Sequence, residues 1–335
     1  MAISQIFDRQ QHVELARRAE TASLSALWHI EQCFDSFVYD QLSLTSTDML
    51  LSGSCVAVRN KRHPVQAAET ATTINHISDG RFILGLGTGV YKPHNGQPED
   101  RLVGRMSEYI DIFKQVTTGE PLDFHGDFYD AVFGTGEEVL DHVPSEPIPV
   151  YIAAGGPLMQ RLAGRKCDGT FIHFGSRAMF REQVDTIRSA AVEAGRDPDA
   201  VKIAQLTPIC VDEDSAAARK SLRRYLTDYL HRPYYRKQLA AAGFPEEAEE
   251  IERLIAAGEP DAAAAAISDA ALDEIGLAGT PGEVAERFDA FFVDGVDDAV
   301  LYPSPLGYGE DPDADWLEMC LRTMEIGEPA QGAAS

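Results

Sequence analysis

Residues 150–159 read VYIAAGGPLM. Val150, Tyr151 and Ile152 suit a buried strand, Ala153 and Ala154 carry it on, Gly155-Gly156-Pro157 interrupts it, and a helical pattern begins at Leu158. Pro157 fits the first turn of a helix, where its missing N–H would have had no partner anyway. Ten residues thus spell one strand-to-helix unit. The glycines leave two readings open. Either the turn is merely tight, or a ligand approaches the backbone, since a helix N-terminus beside bare glycine offers free N–H groups and a positive dipole end to an anion.

The same unit recurs along the chain. Strands are expected over 2–7, 25–30, 49–58, 81–87, 147–154, 169–174, 201–211 and 298–304. Helices are expected over 10–22, 34–46, 64–78, 106–119, 158–166, 179–195, 281–295 and 313–326. Such alternation is the pattern of a parallel sheet wrapped by helices. Eight units predict an α/β fold, a (β/α)8 TIM barrel, whose active site lies where the strands end. Residues 212–275, rich in Ala and Glu and broken at Pro233, Gly243-Phe244-Pro245 and Gly258-Glu259-Pro260, read as a helical insertion before the eighth strand. One domain is expected over 1–327, with 328–335 as a disordered tail.

Composition narrows the function. A net charge of -25 and a pI near 4.6 argue against nucleic acid and against an anionic membrane surface, because both require a basic face. No apolar run reaches membrane-spanning length, and MAISQIFDRQQ lacks the basic start and apolar core of a signal peptide, so a cytoplasmic protein is expected. The five cysteines (33, 55, 167, 210 and 320) are scattered and read as reduced thiols; neither they nor the nine histidines form a metal-site spacing, and no metal is expected. Only seven of the 29 basic residues are Lys. That balance fits a halophile, where salt screens self-repulsion over roughly 3 Å at 1 M, and equally an acidic protein from a GC-rich genome.

Several strand ends carry candidate chemistry. Gly85-Leu86-Gly87-Thr88-Gly89 follows a strand, but its GxGxG spacing and the prolines and turn formers after it do not make a Rossmann fingerprint. It reads as turn chemistry or as a place where a ligand meets backbone. Arg59, Lys61, Arg62 and His63 form a basic island that either holds an anionic group or is a solvated loop before Pro64. His29 and Glu31 alternate with Trp28 and Ile30, which directs both toward the barrel mouth as catalytic candidates; a carboxylate there acts as a general acid if burial raises its pKa. His173 ends the sixth strand in a similar position.

Taken in order, these residues resemble the bacterial-luciferase-like superfamily, and within it the enzymes that use the deazaflavin coenzyme F420. The resemblance rests on ELARRAETASLSALW (14–28), GSCVAVRNKRHPVQAAETATTINHISDGRFILGLGTG (53–89), PIPVYIAAGGPLMQRLAGRKCDG (147–169) and GLAGTPGEVAERFDAFFVDGVDDAVLYPSPLG (276–307). The last is similar to the corresponding region of methylenetetrahydromethanopterin reductases. The family pattern departs at Ser23-Leu24, where Gly-Phe is usual, and matches least over 90–147 and 212–275.

The resemblance implies a non-proline cis peptide at Cys55-Val56 backing the deazaflavin ring. It also implies cofactor contacts from Thr88, Gly89, Ala154, Gly155 and Gly156; His173, from its place at a strand end, is expected to join them. Catalysis would involve Glu31 and His29, on a small-molecule substrate, in a homodimer or homotetramer. Gln32 stands where several F420-dependent dehydrogenases have histidine, and Ser176 where the sugar-phosphate branch has lysine. The implied activity is hydride transfer between F420 and a small organic molecule, with a methylenetetrahydropterin or folate as candidate substrate. The alternatives are an FMN-dependent luciferase-like monooxygenase and a non-catalytic flavin-binding barrel.

Overall fold

Short apolar runs such as FILGLG and VYIA read as unbroken hydrophobic stretches because strands of a parallel sheet are buried on both faces. The computed structural model describes residues 1–32, 34–89, 100–134, 140–311 and 314–326. Cys33, the residues after Gly89 up to 99, and the expected tail lie outside them.

The chain begins with β1 (Ala2–Ile3), α1 (Arg9–Thr21), β2 (Ala26–His29), α2 (Ser36–Thr45), β3 (Leu51–Ser54), β4 (Ala57–Val58), α3 (Pro64–Ile77) and β5 (Phe82–Gly87). It continues through α4 (Leu102–Thr117), β6 (Leu122–His125), β7 (Asp130–Phe133), β8 (Val150–Ala153), α5 (Pro157–Lys166), β9 (Gly169–His173) and α6 (Arg177–Glu193). Next come β10 (Lys202–Val211), α7 (Ser215–Leu230), α8 (Pro233–Ala241), α9 (Pro245–Ala256), α10 (Pro260–Ala265) and α11 (Asp269–Ile275). The last elements are β11 (Leu277–Gly279), α12 (Pro281–Phe291), β12 (Asp298–Pro303) and α13 (Trp316–Glu325). These residues group into two compact units, one of Ala2–Phe171 with Asp185–Ile203, the other of Ile172–Val184 with the chain from Ala204 on.

In the first unit β1, β2, β3, β5 and β8 are parallel neighbours in that order, and β8 pairs with the start of β9. Registers such as Trp28↔Gly53 and Leu84↔Val150 bring the carboxyl ends of these strands to one edge. The expected strand 49–58 is two pieces. β3 and β4 both lie along β5, and between them the Cys55–Val56 peptide bond is cis. Helices cover the sheet through small and apolar faces: α1, opened by an Asp8–Gln11 capping box, buries Leu15, Ala16 and Ala19. In α3, Pro64 takes the first turn and Ala67, Ala68, Ala71 and Ile74 face inward. Met106, Tyr109, Ile110, Phe113 and Val116 of α4 join the same core.

An antiparallel hairpin, β6 with β7, occupies a stretch where no strand was expected. Its turn is fixed by Glu108 of α4, whose carboxylate accepts the N–H groups of Asp127, Phe128 and Tyr129 at 2.8, 2.9 and 3.1 Å.

In the second unit β10 pairs in parallel with β12 over Ala204–Ile209 and with β11 over Ile209–Val211. Ile209, Val211, Leu277, Val284 and Phe291 form its core beside α12. Residues 215–275 are helical from α7 to α11, with breaks at the prolines and glycines named above. β11 was missed, because three residues carry too little pattern to announce a strand.

Candidate cofactor site

Within the first unit, the edge formed by the ends of β2, β3, β5 and β8 collects most of the candidate residues. Trp28 of β2 meets the rings of Tyr151 and Phe171, with centroids 5.6 and 5.0 Å away. Side chains alternate along a strand, so His29 points the other way, toward α2. Its Nδ1 lies 2.6 Å from Asp40 Oδ1, and both side chains are buried. The expectation that His29 faces the mouth with Glu31 is therefore corrected: one residue of alternation separates it from Trp28.

Glu31, past the strand end, is buried with both oxygens engaged. Oε2 accepts the N–H of Val58 at 2.6 Å and Oε1 accepts Arg62 Nη2 at 2.5 Å, with Lys61 Nζ 3.9 Å from Oε2. Arg62 also binds Asp35 and lies over the Phe37 ring at 4.5 Å. Burial works against its charge, but the bonds to Glu31 and Asp35 outweigh it and hold its pKa above the usual arginine range. The rest of the basic island is also committed within the fold. Arg59 is buried and donates to the Tyr129 hydroxyl, Lys61 donates to the Gln32 carbonyl at 2.8 Å, and His63 caps α3. Neither a solvated loop nor a preformed anion cluster describes it.

The glycines of β5 and of the β8–α5 turn differ in what a side chain would meet. A Cβ on Gly85 would overlap the Ser54 carbonyl, and one on Gly87 would overlap Val56. Gly89, at φ +68°, would put a Cβ 2.6 Å from Val58 Cγ1. The backbone approached at Gly85 and Gly87 is therefore approached by the β3–β4 segment. Gly156 is the contrast. It sits at φ -120°, ψ 160°, a conformation open to any residue, and no described atom lies within 4 Å of where its Cβ would be.

Gly156 is also the N-cap of α5: its carbonyl accepts the N–H groups of Met159 and Gln160, each at 3.0 Å, and Pro157 follows in the first turn. Ala154 lies beneath, fully buried, its N–H donated to Phe171 and its carbonyl accepting Gln160 Nε2. Ala154 therefore supports the turn and has no open backbone for a ligand. Thr88 is half-buried beside Gly89. Cys55 is buried, which pushes its thiol pKa well up and makes it unreactive.

In the second unit, His173 ends β9. Its Nδ1 donates to the Leu206 carbonyl at 3.2 Å, and its ring stands edge-on to Tyr229 and Tyr235, at 5.4 and 6.1 Å. Burial lowers its pKa to about 4. Ser176, where a lysine marks the sugar-phosphate branch, accepts the N–H of Met179 at 3.3 Å and so begins α6.

The sequence matches the family described as luciferase-like monooxygenase over residues 2–298. The chain belongs to the bacterial luciferase-like family. It is 27% identical over 310 residues to the 5,10-methylenetetrahydromethanopterin reductase of Archaeoglobus fulgidus, with 90% of each chain covered. It is 31% identical over 267 residues to F420-dependent glucose-6-phosphate dehydrogenase 2 of Rhodococcus jostii, covering 73% of this chain and 77% of that one. Its structure is similar to the F420-dependent tetrahydromethanopterin reductase of Methanopyrus kandleri, with a TM-score of 0.80, 21% identity, and 97% and 96% of the two chains covered. This luciferase-like chain is an enzyme with a TIM-barrel fold. Among its described residues, no helix is long and apolar enough to cross a membrane.

Sequence reasoning missed one group in this luciferase-like chain. Asp40 is fully buried behind β3, where it meets His29, Ser52 and Ser54. A signal existed: Asp40 lies three residues after Phe37 and four before Leu44, on the apolar face of α2.

Proposed function

We propose that the protein is an F420-dependent oxidoreductase. It would move a hydride between the deazaflavin and an electrophilic carbon of a small organic substrate, with the methylene bridge of a reduced pterin or folate as the candidate. F420-dependent activities named among the similar proteins support this reading. The observation that carries it within the structure is Gly156. This glycine is required neither by its φ nor by any described neighbour, yet it sits at a helix N-terminus on the strand-end edge, where a phosphate-bearing tail would have open space and a favourable dipole. The residues present therefore fit the cofactor.

In this reading Gly155 and Gly156 hold the anionic tail, while Thr88, Gly89 and the Cys55–Val56 segment form the wall for the ring. Bound F420 supplies hydride chemistry at its C5 carbon. Glu31 acts by holding that wall, through the N–H of Val58 and through Arg62, because both of its oxygens already have donors. Proton delivery directly from Glu31 is the competing role. Gln32 and Ser176, one exposed and the other capping a helix, put no histidine or lysine at those positions and favour a pterin over a sugar phosphate.

The test is to mix reduced F420 with methylenetetrahydrofolate and follow the return of oxidised-deazaflavin absorbance. No oxidation with any pterin would remove the substrate class. An FMN-dependent monooxygenase is the second reading, favoured by the description of the matched family. Substrate-dependent oxygen uptake with FMN would establish it.

A further inference from the structure

Burying a carboxylate is expensive unless it is paired and hydrogen-bonded, and apolar residues of similar size often serve stability as well. Asp40 is fully buried in the middle of α2. Three donors converge on it. His29 Nδ1 lies 2.6 Å and Ser52 Oγ 3.1 Å from Oδ1, and Ser54 Oγ lies 2.9 Å from Oδ2. Ser36 at the start of α2 adds a bond to Ser54 Oγ at 2.9 Å. Burial raises the Asp40 carboxyl pKa, and His29, Ser54 and Ser52 offset that rise only in part.

The placement of those donors points beyond stability. Ser52 and Ser54 alternate along β3, so both face α2, and Ser54 is the last residue before Cys55-Val56. His29, oriented by Asp40 through its ring, also accepts the N–H of Cys55 on its carbonyl at 2.8 Å. Val56 in turn fills the space that a side chain on Gly87 would need. A continuous set of contacts runs from Asp40 through Ser54 to the proposed wall.

We propose that Asp40 is a positioning residue of the cofactor site: through Ser54 and His29 it fixes the end of β3, and with it the wall against which the cofactor ring rests. This rests on the F420 reading given above. Ser52 shares the same carboxylate but lies two residues further from the wall, pairing with Phe82 of β5. It therefore provides an internal control.

The experiment titrates F420, and FMN in parallel, into wild type and into Asp40→Asn, Ser54→Ala, Ser52→Ala and the Asp40→Asn/Ser54→Ala double variant. Melting temperatures are recorded alongside. Asparagine keeps the shape of Asp40, and Ser54→Ala carries the test if the Asp40 variant does not fold. Asp40→Asn and Ser54→Ala should each weaken binding about tenfold, and the double variant no further than the more severe single, because both cut one connection. Ser52→Ala should lower the melting temperature and leave affinity within about twofold.

Effects that multiply in the double variant, a Ser52→Ala loss equal to that of Ser54→Ala, or unchanged affinity in Ser54→Ala would overturn the proposal. If wild type prefers FMN, the cofactor reading fails, while the same pattern measured with FMN would still support Asp40 as the positioning residue. Binding of neither cofactor by wild type would overturn both.

Discussion

Gly156→Asn separates a glycine kept for the turn from a glycine kept for a ligand. The backbone at φ -120°, ψ 160° is ordinary extended chain, and the added Cβ meets no described atom within 4 Å. Asparagine is at least as good an N-cap as glycine, by a few tenths of a kcal/mol. Stability should therefore stay within about 0.5 kcal/mol, a shift of roughly 1–2 °C in melting temperature for a chain of this size.

Binding should respond differently. A side chain at the amino end of α5 displaces the anionic tail from at least one backbone donor, and a hydrogen bond to a charged group contributes about 1.5–3 kcal/mol. At about 1.4 kcal/mol per tenfold, the predicted loss of F420 affinity is roughly 10- to 150-fold. Fluorescence titration of F420 against both proteins, with thermal melts on the same samples, reads the two quantities. Affinity within twofold at an unchanged melting temperature would refute the ligand role. A melting temperature lower by many degrees would show instead that the turn needs glycine.

Glu31→Gln places an amide against Arg62 and leaves it Asp35 as its remaining carboxylate partner, so F420 affinity should fall about tenfold along with turnover; a loss of kcat at unchanged affinity would return Glu31 to proton transfer. Burial, ahead of the nearby His29, holds His12 at about 3, and burial holds His173 at about 4, both below the ordinary 6.5. The unfolded chain therefore takes up more protons in that window, and each contribution, complete above pH 6.5, is lost as pH falls through it. Between pH 7 and 5 each histidine should cost about 2 kcal/mol. Denaturant unfolding of wild type and His12→Gln at both pH values checks this, and equal losses in the two proteins would contradict it. The net charge of -25 predicts that melting temperature rises from low to multimolar KCl; a flat response would remove the halophile interpretation.

The strand-and-helix order was legible because each β/α unit carries its own punctuation. Pro64 and Pro157 open helices, and the apolar runs at 82–87 and 150–153 are too continuous for exposed strands. What was not legible depends on contacts distant in sequence. The 122–133 hairpin is held by Glu108 from a helix, and the third strand is interrupted between β3 and β4, which both align on β5. The site divides in the same way. The helix start at Gly156-Pro157 was legible, because it is a local property. His29 was misdirected, because its orientation is decided by Asp40, eleven residues on. Glu31 was located, but its donors Val58 and Arg62 come from beyond β3 and could not be inferred from the WHIEQ stretch.

Which cofactor the protein takes is read from a competitive titration of wild-type protein with F420 and FMN, followed by fluorescence under identical salt and pH. F420 should bind at least about tenfold more tightly and displace FMN at equal concentration. FMN binding the more tightly, or displacing F420, would contradict it.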